Sequence, residues 1–192
     1  MMIFAVITVL AVVQSLFGIG LLVFGTPTLL LLGYPYQEAL AILLPASLAV
    51  SALQLMAVPR LDRSFAGQFG AWCLIPLAGT LALVSLLQFK ASLNLAVALA
   101  LAAFVMLRTS PALEAKATAW LRLHQKSWLV LMGLVHGLSN LGGSLLTILA
   151  NGLHSDKDRI RSVIVHCYVA FALVQLAVLG LTVPGFLSWQ QV

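Results

Sequence analysis

The chain has 192 residues, 62% of them hydrophobic and only 8% charged, with a mean hydropathy of +1.10; a soluble domain carries about a quarter charged residues, so a water-solvated globule is excluded. The net charge of +5 and pI of 9.7 would point a soluble chain toward nucleic acid, but in so apolar a sequence the basic residues read as topology signals beside a lipid bilayer, and no nucleic-acid partner is expected. The apolar runs are continuous rather than alternating, which excludes a closed barrel and leaves an all-α integral membrane protein.

The first apolar run, residues 2–33, would measure about 48 Å as one helix against a hydrocarbon core of about 30 Å, so it must tilt or break. No basic residue precedes it and it outruns a signal-peptide core, so it reads as a retained first span. The break is expected at Phe17-Gly18-Ile19-Gly20, followed by Gly25-Thr26-Pro27, where Thr26 would cap a second piece starting at Pro27 and Gly33 would end it. A second span is expected over 36–58, a third over 69–87 and a fourth over 92–107, the last two joined at Lys90 as an antiparallel hairpin. Residues 108–126 form the longest loop, in which Ser110-Pro111 would start a surface helix carrying Leu113, Trp120 and Leu121. A fifth apolar run, residues 127–153, is interrupted again, at Gly137-Leu138-Ser139-Asn140-Leu141-Gly142-Gly143-Ser144. The sixth span begins at Ser155, whose spacing to Asp158 fits a capping pair, runs to 181 and is closed by Pro184-Gly185.

Arg60, Arg63, Arg108, Lys116, Arg122 and Lys126 follow even-numbered spans, whereas Lys90, Lys157, Arg159 and Arg161 follow odd-numbered ones; this split places the N-terminus in the cytoplasm of a multi-pass inner-membrane protein. Cys73 and Cys167 fall inside apolar runs and read as packing residues, not metal ligands or a disulfide, and no cofactor is implied. A shift of 122 residues places Gly20 on Gly142 and Leu16 on Leu138, and a slip of one places Gln54-Leu55 on Gln175-Leu176. A Gly-interrupted run, a short turn and an uninterrupted span with Gln near its end thus occur twice. The expected fold is a bundle of about six transmembrane helices in a parallel internal repeat, with residues 1–107 as the first copy, 108–126 as the basic loop and 127–192 as a second copy lacking its last two helices.

Non-helical backbone at membrane depth is tolerated only when buried in protein or lining a wet cavity. Two breaks therefore imply a shared interior, and a helix restarting after each would aim free N–H groups and a positive dipole end into it, which suits an anion. The candidate binding residues are Gly18, Gly20, Thr26 and Pro27 at the first break and Ser139, Asn140, Gly142, Gly143, Ser144 and Thr147 at the second, with His136 and His166 near span centres. Competing roles are close helix packing for the glycines, hydrogen bonds back to their own helix for the hydroxyls, and neutral, carbonyl-bonded imidazoles for the histidines. Gln54 and Gln175 read as interhelical hydrogen-bond partners rather than ligands. Gly137-Leu138-Ser139 with His166 one helix later also matches the nucleophile and base of an intramembrane serine protease, although Asn140 replaces the small residue that usually follows the serine.

At the two broken runs, Phe17-Gly18-Ile19-Gly20 through Pro27-Thr28-Leu29-Leu30-Leu31-Leu32-Gly33 and Gly137 through Leu146, the chain resembles the TauE/SafE-type sulfite exporter family, as do Gly70, Pro76 and Gly79 in the following hairpin. The family's denser glycine run is reduced here to Gly18 and Gly20, the second copy has no proline matching Pro27, and the family's last pair of spans has no counterpart. The resemblance implies a permease, not an enzyme, that moves sulfite, an organosulfonate or a related small sulfur-containing anion. An inside-negative potential favours outward movement of each negative charge by about 2.3 kcal/mol per 100 mV, and the chain has no phosphate-binding Gly-Lys-Ser/Thr motif. The alternative is a non-transporting scaffold or partial transporter subunit, completed by partner helices or by further copies of itself.

Overall fold

The computed structural model describes residues 2–17, 21–87 and 90–186, so Gly18 and Gly20 lie outside the described residues. Among the described residues there are nine helices: α1 (Met2–Phe17), α2 (Leu21–Leu31), α3 (Tyr36–Leu55), α4 (Arg63–Leu87), α5 (Lys90–Thr109), α6 (Pro111–Leu123), α7 (Gln125–Ser139), α8 (Gly142–Leu153) and α9 (Lys157–Thr182). Large apolar side chains such as Phe4, Leu31, Leu86 and Leu181 remain exposed on the outside, as a lipid-facing surface requires. The chain is a multi-pass membrane protein.

Local chemistry sets most helix ends. Gly33, at φ +91°, closes α2 in a Schellman turn, with the amides of Gly33 and Tyr34 donating to the carbonyls of Leu30 and Leu29. Ser110 caps α6 by accepting from Leu113 N–H, and Pro111 occupies the first helical position. Two expected caps are replaced. Helix α2 already starts at Leu21, so Thr26 and Pro27 lie inside it; the run Leu21-Leu22-Val23-Phe24 propagates the helix, and Pro27 removes the bond that its own N–H would make and crowds the Val23 carbonyl. Helix α9 is capped by the carboxylate of Asp156, which accepts from Arg159 N–H, and not by Ser155; a full negative charge suits a helix N-terminus better than a hydroxyl.

Among the described residues three helices, α3, α4 and α9, are long and apolar enough to cross a membrane, or four spans result if residues 97–109 and 111–123, bent by 102°, count as one. Six uninterrupted spans are not found among the described residues. At 1.5 Å per residue α1, α2 and α8 reach only about 17–24 Å, short of a core of about 30 Å. Each broken run instead folds back on itself. A Cβ on Gly25 would lie 3.4 Å from Leu10, and Leu21 N–H donates to Gln14 Oε1, so α2 returns along α1. In the second run the Trp128 indole N–H donates to the Leu145 carbonyl, and Gly152 near the end of α8 packs on Leu121, ahead of the start of α7.

The hairpins open toward opposite faces. Helix α1 runs parallel to α3: Gly25 seats between Leu10 and Leu43, and Gln14 reaches Ser47 and Ser51 further along both helices. Helix α3 ends where α9 starts, with Ser162 Oγ donating to the Pro59 carbonyl. Helices α4 and α7 run parallel, Gly133 lying on Cys73 and Gly137 on Leu77. One face therefore receives the ends of α3 and α8 and the starts of α4, α7 and α9, whereas α1 starts and α2 ends at the other. Parallel copies would open to the same face; folding back removes the crossings that the parallel arrangement requires.

A π-helical turn, Gly70–Leu74, interrupts α4 where the Cys73 carbonyl meets Gly133 of α7. Helix α6 turns by 102° from α5 and lies across the first of these faces, with Leu121 buried beneath it and Arg122 Nε donating to the Gly152 carbonyl. Arg108 and Glu114 form an ion pair of 2.5 Å at that turn.

Candidate functional site

The tip of the second hairpin is buried at the centre of the bundle. Helix α7 stops because Asn140 adopts φ +61°, the one positive φ of a non-glycine among the described residues, and its short amide side chain tolerates that conformation better than most. Leu141 follows and α8 restarts at Gly142. Gly142 and Gly143 are without side chains for a steric reason: a Cβ on the first would meet the His136 ring and on the second the Tyr168 hydroxyl.

Four fully buried side chains form a directed hydrogen-bond chain around this tip. Gly142 N–H donates to His136 Nδ1 at 3.1 Å, which makes that nitrogen the acceptor and leaves the proton on Nε2. His136 Nε2 then donates to Gln175 Oε1 at 3.1 Å, Gln175 Nε2 to Asn140 Oδ1 at 3.1 Å, and Asn140 Nδ2 to Thr26 Oγ1 at 2.8 Å. The His136 ring also stacks on Phe171, with centroids 4.0 Å apart. One network thus ties together both hairpins and α9. All its members are neutral.

The first hairpin is fastened by a comparable device. Gln14 Oε1 accepts from Leu21 N–H at 3.2 Å, as His136 Nδ1 accepts from Gly142 N–H. Gln14 Nε2 donates to Ser51 Oγ at 3.0 Å, and Gln54 Nε2 reaches the carbonyls of Gln14 and Ser15 at the end of α1. Gln54 and Gln175 are interhelical partners, as their position in the sequence implies.

The remaining candidates are distributed unevenly. The hydroxyls of Ser139, Ser144 and Thr147 donate to the carbonyls of Val135, Leu141 and Gly143 in their own helical segment. Pro27 lies in α2 beside Thr26. His166 is half-buried, its Nδ1 donating to the Ser162 carbonyl, and it precedes Gln175 by about 13 Å along α9, outside the cluster. Ser139 donates to a backbone carbonyl rather than to an imidazole, so the serine–histidine pair of a protease is not assembled. Among the described residues no three His, Cys, Asp or Glu side chains converge as metal ligands would.

Tyr168 is the member that sequence reasoning missed. Its hydroxyl is fully buried, has no hydrogen-bond partner among the described residues and lies against Gly143 at the start of α8. The available signal was the spacing of Tyr168, Phe171 and Gln175, which puts an aromatic hydroxyl and an amide on one helical stripe.

Over residues 3–192 the chain matches the family model described as Sulfite exporter TauE/SafE. No curated protein and no solved structure matches it.

Proposed function

Because the chain belongs to the TauE/SafE sulfite exporter family, which comprises membrane transporters and not enzymes, we propose that it exports a small sulfur-containing anion, such as sulfite or an organosulfonate, through a site where the tip of its second hairpin meets α2 of the first. The observation that carries this reading is the hydrogen bond from Asn140 Nδ2 to Thr26 Oγ1, made at the bundle centre between hairpins that open toward opposite faces. Broken helices meeting from two sides give a transporter both an interior site and two barriers that can part in turn. Thr26, Asn140, the Gly143 amide and the Tyr168 hydroxyl supply neutral donors at the positive end of α8, an arrangement that holds an anion without burying a compensating charge. Ser139, Ser144 and Thr147 shape the turn, and His136 with Gln175 orients Asn140.

Two further features support the reading. Gln14 and His136, equivalent under the shift of 122 residues, both accept from the amide that restarts the next helix, and Gln54 and Gln175 both reach the turn from the following span. We read the two regions as copies inverted with respect to the membrane. With the hairpins folded back, Arg60, Arg63, Arg108, Lys116, Arg122, Lys126, Lys157, Arg159 and Arg161 gather at one face, leaving Lys90 alone at the other. The positive-inside rule makes that face cytoplasmic, so the N-terminus faces away from the cytoplasm, the reverse of the assignment from six single crossings.

The test is substrate-dependent efflux from proteoliposomes across a panel of small anions. Asn140→Gly keeps the backbone conformation while removing the amide, and efflux falls by at least about tenfold, the loss of one hydrogen bond to a charged group. Wild-type flux in that variant excludes Asn140 from the pathway, and flux that requires a second protein makes the chain a transporter subunit.

A further inference from the structure

At the basic face, between the α3–α4 turn, the end of α8 and the start of α9, lies a cavity of 290 Å³ whose lining includes Arg60, Asp62, Phe65, His154, Arg159 and Ser162. Ser162 Oγ donates to the Pro59 carbonyl at 2.6 Å and so holds two of its walls together. Among the described residues the one ion pair is Arg108–Glu114, so neither Arg60 nor Arg159 is in direct contact with a carboxylate. Asp62, on the cavity wall, caps α4 through Phe65 N–H, and Asp156 caps α9 through Arg159 N–H. The carboxylates are engaged by backbone amides while both guanidiniums stay available.

We infer that this cavity is a binding site for a small oxyanion of the sulfate or phosphate class, held by Arg60 and Arg159. A guanidinium presents a planar fork that matches two oxygens of such an ion, and His154 adds a further polar group. The volume far exceeds the roughly 10–15 Å³ that one water needs, which leaves room for the ion and part of its hydration shell. Ser162 and His166 then lead inward along α9 toward Gln175, about 20 Å away, so the cavity stands at the mouth through which an exported anion would pass. Anion capture here does not depend on the transport reading, and its test is a binding measurement.

The full chain in phosphatidylcholine nanodiscs is titrated with inorganic sulfate by calorimetry, alongside Arg60→Gln, Arg159→Gln and Arg108→Gln. Saturable binding is expected in the wild type, weakened at least about tenfold by Arg60→Gln or Arg159→Gln and unchanged by Arg108→Gln. Unaltered affinity in both cavity variants, an equal loss in Arg108→Gln, or no wild-type binding overturns the site. Repeating the titration with phosphatidylglycerol added separates two sources of the same chemistry: displacement of sulfate assigns the site to a lipid headgroup, and an unchanged isotherm assigns it to an aqueous ion. Absence of efflux by the wild-type chain, with sulfate binding intact, would sink the transport proposal alone.

Discussion

His136 uses both ring nitrogens on neighbours, and the consequence is measurable. His136→Phe keeps the stack on Phe171 but leaves Gly142 N–H and Gln175 Oε1 without partners in a fully buried site. An orphaned buried group costs about 1–3 kcal/mol, so the variant should lose on the order of 2–5 kcal/mol of stability in a denaturation titration. Gln175→Leu should lose a similar amount by stranding His136 Nε2 and Asn140 Oδ1. The double variant should cost less than the sum, because each substitution removes a group that the other strands. An additive double variant would mean that His136 and Gln175 do not act as a pair. That both were polar groups at a special position was readable from the chain; that they bond to each other was not, since nothing local to residue 136 points to residue 175.

At the scale of elements, helix α7 packs on α4 through Gly133 and Gly137. A Cβ on Gly133 would collide with the Cys73 carbonyl, a backbone atom in the π-helical turn that cannot swing aside, whereas a Cβ on Gly79 meets nothing within 4 Å. Gly133→Ala should therefore force the helices apart at a cost of about 1–3 kcal/mol, while Gly79→Ala, which only gains helix propensity, should be neutral or stabilising by up to about 1 kcal/mol. Equal thermal stability of the two variants would show that the α4–α7 seam is loose. In the sequence the two glycines look alike, and the difference lies in a carbonyl on another helix. Element boundaries were more legible: Gly33, Ser110-Pro111 and the interruption near Asn140 stand where the residue types put them. Thr26 misled because a cap residue followed by proline has the same letters whether it starts a helix or lies within one.

For the whole molecule, the question is how two interrupted runs that read as single crossings become hairpins. Composition and hydropathy establish a helical membrane protein, but the direction of a helix after a break depends on which surface it packs against. Leu10 against Gly25 and Trp128 against Leu145 are the contacts that turn each second piece back. Single crossings would place Pro35 and Ser155, after the first and fifth runs, on the same side of the membrane; hairpins place them on opposite sides. Both residues are exposed, and the native Cys73 and Cys167 are buried, so single cysteines there report cleanly. A membrane-impermeant maleimide applied to intact cells should label Pro35→Cys at once and Ser155→Cys only after permeabilisation, since the basic residues clustered beside Ser155 hold that face in the cytoplasm. Labelling of both from outside would restore the six-crossing arrangement, and with it a pair of parallel copies whose broken helices could not approach a central site from two sides.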